Sequence, residues 1–190
     1  DAYSRVSRNL AAVIATSGPG ATNLLTGVCC SYYDSIPLLC LTGQVSSFRL
    51  KRGLGVRQLG FQESDVVDIF RPVTKYAVQL ESAEQILFEL EKCAAIAQSG
   101  RPGPVLLDIP DNFQREAVEP DKLTRYTDQG PRASSSVTSR DLDACIEMIN
   151  RAQRPVLVLG WGIYLSRAEK AAIEVLNLLQ FPTVMTWALG

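Results

Sequence analysis

The chain has 190 residues, enough for one large domain or for one domain and part of a second. Hydrophobic residues make up 46% and charged residues 21%, and 19 basic against 20 acidic side chains leave a formal net charge of −1, which fits a soluble globular core and argues against nucleic acid as a partner. No apolar run reaches the ~20 residues of a membrane span, and no signal peptide opens the chain.

In chain order, Asp1 to Asn9 reads as the last turns of a helix already under way. Leu10-Ala-Ala-Val-Ile-Ala15 is a short run of small and β-branched residues, the pattern of a strand buried on both faces. Thr16-Ser-Gly-Pro-Gly-Ala-Thr-Asn23 follows as a strand-to-helix turn, in which Gly18 and Gly20 permit positive φ and Pro19 fixes its own φ. In an open α/β sheet this corner, at the carboxyl end of a strand, is where ligands sit. Asn23 stands about one helical turn after Pro19, so its amide can face the same space. The plain alternative is an ordinary turn with Asn23 as a cap.

A helix is expected from about Ala21 to Ser35, then a second apolar strand over Ile36 to Thr42 with Gly43-Gln-Val45 as its exit. Ser46 to Gly60 is polar and basic without a clear period, a long loop that is either functional or a plain surface excursion. Ser64 to Phe70 predicts a short helix capped by Ser64 and stopped by Pro72, and Thr74 to Leu80 alternates like a half-solvated strand. Glu81 to Ser99 is the clearest helix, with Ser82 and Gln85 as a capping box and an apolar stripe of Ile86, Leu90, Cys93 and Ala97; Gly100 ends it. Pro104 to Pro110 is a third buried strand. Strands alternating with helices predict a parallel α/β sheet.

From Asn112 to Ser139 the composition turns to Arg, Asp, Gln, Pro and four serines with no apolar period, the pattern of a linker. Asp141 to Ala152 then predicts a helix, Arg154 to Gly160 a strand with Gly160-Trp-Gly162 as its exit, Ser166 to Leu179 a helix, and Phe181 to Thr186 a strand. Thr183 to Gly190 stops inside a strand and its exit turn, so the chain reads as a fragment at both ends. Five cysteines, Cys29, Cys30, Cys40, Cys93 and Cys145, have no CxxC spacing, and the chain has no histidine. They predict reduced core thiols in a cytoplasmic protein and leave no base for Ser-His or Cys-His catalysis.

Taken in order, TSGPGATN, DSIPLL, TGQV, GFQE and SGRPGPVLLDIP resemble the thiamine-diphosphate enzymes of the acetolactate synthase family, densely from Asp1 to about Pro110 and more loosely over Arg154 to Gly190. The resemblance implies an α/β fold: a parallel-sheet, three-layer α/β/α pyrimidine-binding domain over residues 1–113, a linker over 114–138, and the beginning of a Rossmann-like central domain over 139–190. It implies decarboxylation of a 2-oxo acid and carboligation to a second carbonyl by a transferase or lyase, with thiamine diphosphate, Mg2+ and, in some relatives, FAD or ADP, in a dimer or tetramer. The glutamate that protonates the pyrimidine would lie before Asp1 and the Gly-Asp-Gly metal motif beyond Gly190, so the 190 residues alone are expected to be inactive. Other chemistries of the same cofactor, a simple 2-oxo acid decarboxylase, an oxalyl-CoA-type lyase or a sugar-biosynthesis enzyme, stay open, as does a non-catalytic binding module.

Carried over residue by residue, the resemblance puts Pro19, Gly20 and Asn23 against the pyrimidine ring. It puts Gln62 in the cofactor and substrate space, Phe61 on the substrate cavity, and Arg101, Gly160 and Gly162 near a flavin or adenine nucleotide. Phe61 could equally be a core aromatic, and Arg101 a cation at a helix C-terminus. The Gln44 to Gly60 loop departs from the family: it is longer, has Ser46 where a proline is expected, and carries Arg49, Lys51, Arg52 and Arg57. The resemblance implies that this loop approaches the substrate channel, where four cations would suit a different, anionic substrate; the alternative is a solvated basic loop.

Overall fold

A computed structural model describes residues 1–128, 130 and 137–189. It divides into two compact units, Asp1–Arg132 and Ala133–Gly190. The first contains, in order, α1 (Ala2–Ser7), β1 (Ala11–Ala15), α2 (Pro19–Thr22), α3 (Leu25–Tyr33), β2 (Leu38–Gln44), α4 (Val66–Phe70), β3 (Tyr76–Gln79), α5 (Ile86–Gln98), β4 (Pro104–Pro110) and α6 (Asp111–Arg115). The strands form one sheet in the order β1-β2-β4-β3, all pairs parallel.

The sheet is the middle of three layers because β4 has no solvated face. Its Leu106 meets Cys40, Val28, Val66 and Phe70 in the cluster packed under α2, α3 and α4. Val105 and Leu107 point the other way, into the cluster with Cys93 and Ala97 of α5. Fully burying a side chain such as Phe70, Leu106 or Leu107 contributes roughly 1.5–3 kcal/mol. The expected stripe of α5 faces this second cluster throughout. The parallel α/β expectation is met.

Several local expectations are corrected. The helix after the glycine corner breaks at Asn23 and Leu24, giving two short helices instead of one. Ser64 does not cap α4, whose cap position is Asp65; the Ser64 carbonyl instead accepts from Val66 N. The Ser82 capping box does not form at the start of α5: Ser82 precedes a 3-10 turn, and Gln85 Oε1 accepts from Glu81 N. Of the five free thiols only Cys40 and Cys93 are buried, pushed up to about 12 mainly by that burial, whereas Cys30 and Cys145 are exposed. The stretch expected as a bare linker carries α6 and a 3-10 turn over Pro120–Lys122, and Tyr126 packs edge-on against Phe88 of α5. Residues 129 and 131–136 of that stretch lie outside the described residues.

The second unit contains α7 (Ser139–Arg151), β5 (Leu157–Leu159), α8 (Gly162–Leu165), α9 (Glu169–Leu179) and β6 (Thr183–Met185). β5 and β6 pair in parallel, a β-α-β unit. Thr138 caps α7 with a capping box to Asp141, three residues before the start the composition suggested. α8 was not expected at all. No helix among the described residues is long and apolar enough to cross a membrane.

Candidate functional site

The parallel register brings the carboxyl ends of β1, β2 and β4 level, and between them opens a cleft of about 690 Å3. Thr16 and Ser17 come from the end of β1, Gly43 and Gln44 from β2, and Asp111 and Gln114 from α6. Val45, Ser46 and Arg49 after β2, and Phe61 further along, complete the wall. An open parallel sheet places ligands at this edge because helix N-termini and loop amides converge there.

The glycine corner follows directly on Thr16 and Ser17 of the cleft wall. Gly18 is buried with φ +62, and a Cβ on it would stand 2.7 Å from the Gln62 carbonyl oxygen, so only glycine lets the two loops close on each other. Gln62 itself adopts φ +60, uncommon for a side chain of its size. Pro19 is the first residue of α2, and its carbonyl accepts from Asn23 N at 3.0 Å. Pro19, Asn23, Phe61 and Gln62 are all exposed, and Pro19 and Asn23 share one turn. Pro19 and Asn23 thus face solvent, while Gly18 is covered by Gln62.

Behind the cleft lies a buried polar row set by register: Thr42 and Gln79 both pair with Asp108 across the sheet. The Asp108 carboxylate accepts from Thr42 Oγ1 at 2.7 Å, Gln79 Nε2 at 2.7 Å and Gln44 Nε2 at 3.0 Å. Burial pushes its pKa above the ordinary aspartate value, against the pull of these three donors. Gln44 turns its amide oxygen to Val45 N at 2.9 Å, which links the row to the exit of β2.

Of the residues expected at the site, the structure places Phe61 in the cleft wall and closes Gln62 on Gly18, next to Pro19 and Gly20; Pro19, Gly20, Asn23 and Gln62 are not among the residues that line the cleft. Arg101 is elsewhere. It precedes β4, at the amino end of the sheet, where its guanidinium donates to Ser35 Oγ at 2.6 Å and to the Tyr33 carbonyl at 3.1 Å. Gly160 and Gly162 belong to the second unit, where they flank Trp161, stacked on Tyr164 at 4.4 Å. Among the described residues no group of three or more His, Cys, Asp or Glu is placed to hold a metal ion. The sequence shows no sign of Gln114, because it sits where composition suggests a linker, of Asp111, because it falls between the expected strand and that linker, or of Asp108, because one carboxylate in an apolar strand gives no motif.

Residues 1–69 match the family described as thiamine pyrophosphate enzyme, N-terminal TPP binding domain. Over those residues the chain is similar to the thiamine pyrophosphate enzymes. Among its relatives are a probable acetolactate synthase large subunit of Methanococcus aeolicus, 34% identical over 189 residues, and an acetolactate synthase of Arthrospira platensis, 33% identical over 191 residues. Each alignment takes in 98% of this chain and 31% of the relative. The acetolactate synthase isozyme 1 large subunit of Escherichia coli is 37% identical over 181 residues, 95% of this chain and 30% of that protein. The chain thus spans about a third of the length of these relatives, and the matched TPP-binding region takes in the glycine corner, the expected loop and the Phe61-Gln62 pair.

Proposed function

We propose that this chain supplies the pyrimidine-holding part of a thiamine-diphosphate-dependent enzyme that decarboxylates a 2-oxo acid and joins the product to a second carbonyl, as an acetolactate synthase does. One observation carries the reading: an open cleft at the carboxyl ends of parallel strands, with Pro19 and Asn23 exposed on one turn and Gln62 closed against Gly18. An amide and a flat apolar ring edge one turn apart suit a planar heterocycle with nitrogen acceptors and an exocyclic amine. On this reading Pro19 and Gly20 pack against the ring, Asn23 and Gln62 offer hydrogen bonds to its polar edge, and Phe61 walls the substrate side. When bound, thiamine diphosphate supplies the electron sink for decarboxylation. The protein's own share is to orient the ring, exclude water and hold the 2-oxo acid.

Residues 1–113 would then be the pyrimidine domain and 139–190 the beginning of a central domain, in a protein that works as a dimer or tetramer with Mg2+. Gly160 and Gly162 are the place for an FAD or ADP moiety; Trp161 Nε1 between them is a buried N–H without a partner among the described residues, which supports a polar ligand there. Arg101, held to Ser35 and Tyr33, has a structural job that competes with a nucleotide role. A cytoplasmic location goes with this metabolic reading.

A second reading, another chemistry of the same cofactor on a more anionic substrate, draws on Arg49. It lines the cleft, and no carboxylate pairs with it among the described residues. Incubating the intact protein with thiamine diphosphate, Mg2+ and pyruvate decides between the two: acetolactate and CO₂ together support the first, and neither product overturns it.

A further inference from the structure

The loop that carries the four cations has no secondary structure between Leu50 and Gly60, yet both of its ends converge on one buried carboxylate. Glu63 is 9% exposed. Its Oε1 accepts from Lys51 N at 2.7 Å, and its Oε2 accepts from Leu59 N at 2.7 Å and Gly60 N at 3.3 Å. Lys51 adds a second tie on the outside, donating through Nζ to the Arg57 carbonyl at 3.2 Å and to Asp65 Oδ2 at 2.6 Å. Gly60 is buried against Val45, whose Cγ1 would lie 2.8 Å from any Cβ added there. Immediately beyond come Phe61, in the cleft wall, and Gln62, closed on Gly18.

We propose that Glu63 is a positioning residue: its carboxylate latches the two ends of the 51–60 loop together and thereby sets Phe61 in the cleft wall and Gln62 against Gly18. Three backbone donors on one carboxylate form a charge-assisted cluster that no neutral side chain reproduces. A glutamine there would turn an NH₂ group toward an N–H, and an aspartate would fall one methylene short. Burial pushes the Glu63 carboxyl up, but the amides of Leu59, Lys51 and Gly60, with the Lys51 charge, outweigh it and hold it below the ordinary glutamate value. The latch therefore stays ionised at neutral pH. Its importance for cofactor binding rests on the reading of the cleft given above; the latch itself does not.

The test uses the intact protein and its E63Q and D65N variants. Amide exchange on the wild type comes first: the N–H groups of Lys51, Leu59 and Gly60 should exchange on the order of tenfold more slowly than those of Gly53 and Gly55 between them. Trypsin should cut after Lys51, Arg52 and Arg57 on the order of tenfold faster in E63Q than in wild type, and within about twofold in D65N, which loses only the outer tie. E63Q should also need on the order of tenfold more thiamine diphosphate for half-saturation, and D65N about as much as wild type. Unprotected amides in the wild type, or a lower melting temperature in E63Q with no faster cleavage at these three bonds, would overturn the latch. If the wild type binds no thiamine diphosphate, the reading of the cleft fails while exchange and cleavage still decide the latch.

Discussion

The two ends of the four-stranded sheet are built on opposite plans. At the amino end side chains close on one another: Ser4 Oγ donates to the Pro37 carbonyl at 2.7 Å and accepts from Ala11 N at 3.0 Å, Ser31 Oγ donates to Asp1 at 2.8 Å, and Arg5 bridges Asp1 and Asp34 at 2.7 and 2.5 Å. At the carboxyl end Arg49 lines an open cleft, and Asn23 and Gln62 are exposed. One end closes on itself, whereas the other, beside ties such as Ser47 N to Asn112 Oδ1, leaves the side chains of Asn23, Gln62 and Arg49 facing solvent. That asymmetry separates residues whose loss should cost stability from residues whose loss should cost binding.

The largest effect should come from between the two ends. Asp108→Ala leaves Thr42, Gln44 and Gln79 with buried donors and no acceptor, an expected loss of about 3 kcal/mol in chemical denaturation. Because Gln44 also lines the cleft, cofactor affinity should fall with it. The pH dependence has a definite sign. The raised pKa means that ionising Asp108 opposes folding, so its favourable contribution is complete below the ordinary value of 3.8 and is lost as pH rises through the higher folded value. Melting temperatures of wild type measured against Asp108→Asn should show the wild type losing ground from acid toward neutral pH; a flat difference would refute the buried-charge account.

Breaking the closed end gives the next effect. Ser4→Ala removes a buried hydroxyl that both donates and accepts, with an expected cost of about 1–2 kcal/mol in denaturation. Thiamine diphosphate affinity should not change. Breaking the open end reverses the pattern: Asn23→Ala removes an exposed side chain, so stability should shift by less than about 0.5 kcal/mol, while the cofactor dissociation constant should rise about tenfold, roughly 1.4 kcal/mol. An Asn23 variant with lowered stability and unchanged affinity would place the residue on the wrong side of the comparison.

The same asymmetry explains what the sequence disclosed. Pro104 to Pro110 was legible because a strand covered on both faces must be apolar throughout, and α5 because a helix covered on one face must carry a stripe; both patterns are local. The glycine corner was legible because backbone that approaches another chain closely demands glycine, as Gly18 does against Gln62. Asp108, Asp111 and Gln114 were not, since their roles come from strand register and from chain ends that meet only in the fold. Glu63 was visible within GFQE, yet its three backbone partners lie up to twelve residues upstream in a stretch with no period.

Arg101 gives the smallest and most discriminating prediction. Sequence resemblance attached it to a nucleotide, whereas its observed partners, Ser35 Oγ and the Tyr33 carbonyl, tie the loop before β4 to the end of α3. The residue is exposed and Ser35 is buried at φ +61, so the guanidinium holds a hydroxyl whose backbone already sits in an uncommon conformation. Arg101→Gln should cost about 0.5–1 kcal/mol in denaturation and leave thiamine diphosphate affinity within about twofold, because Arg101 stands at the far end of the sheet from the cleft. Titration with FAD and with ADP completes the measurement. If the variant loses stability and keeps whatever nucleotide affinity the wild type has, Arg101 belongs to the closed end; if nucleotide affinity falls while stability holds, the amino end of this sheet also faces a ligand, and the division between a self-satisfied end and a binding end does not hold.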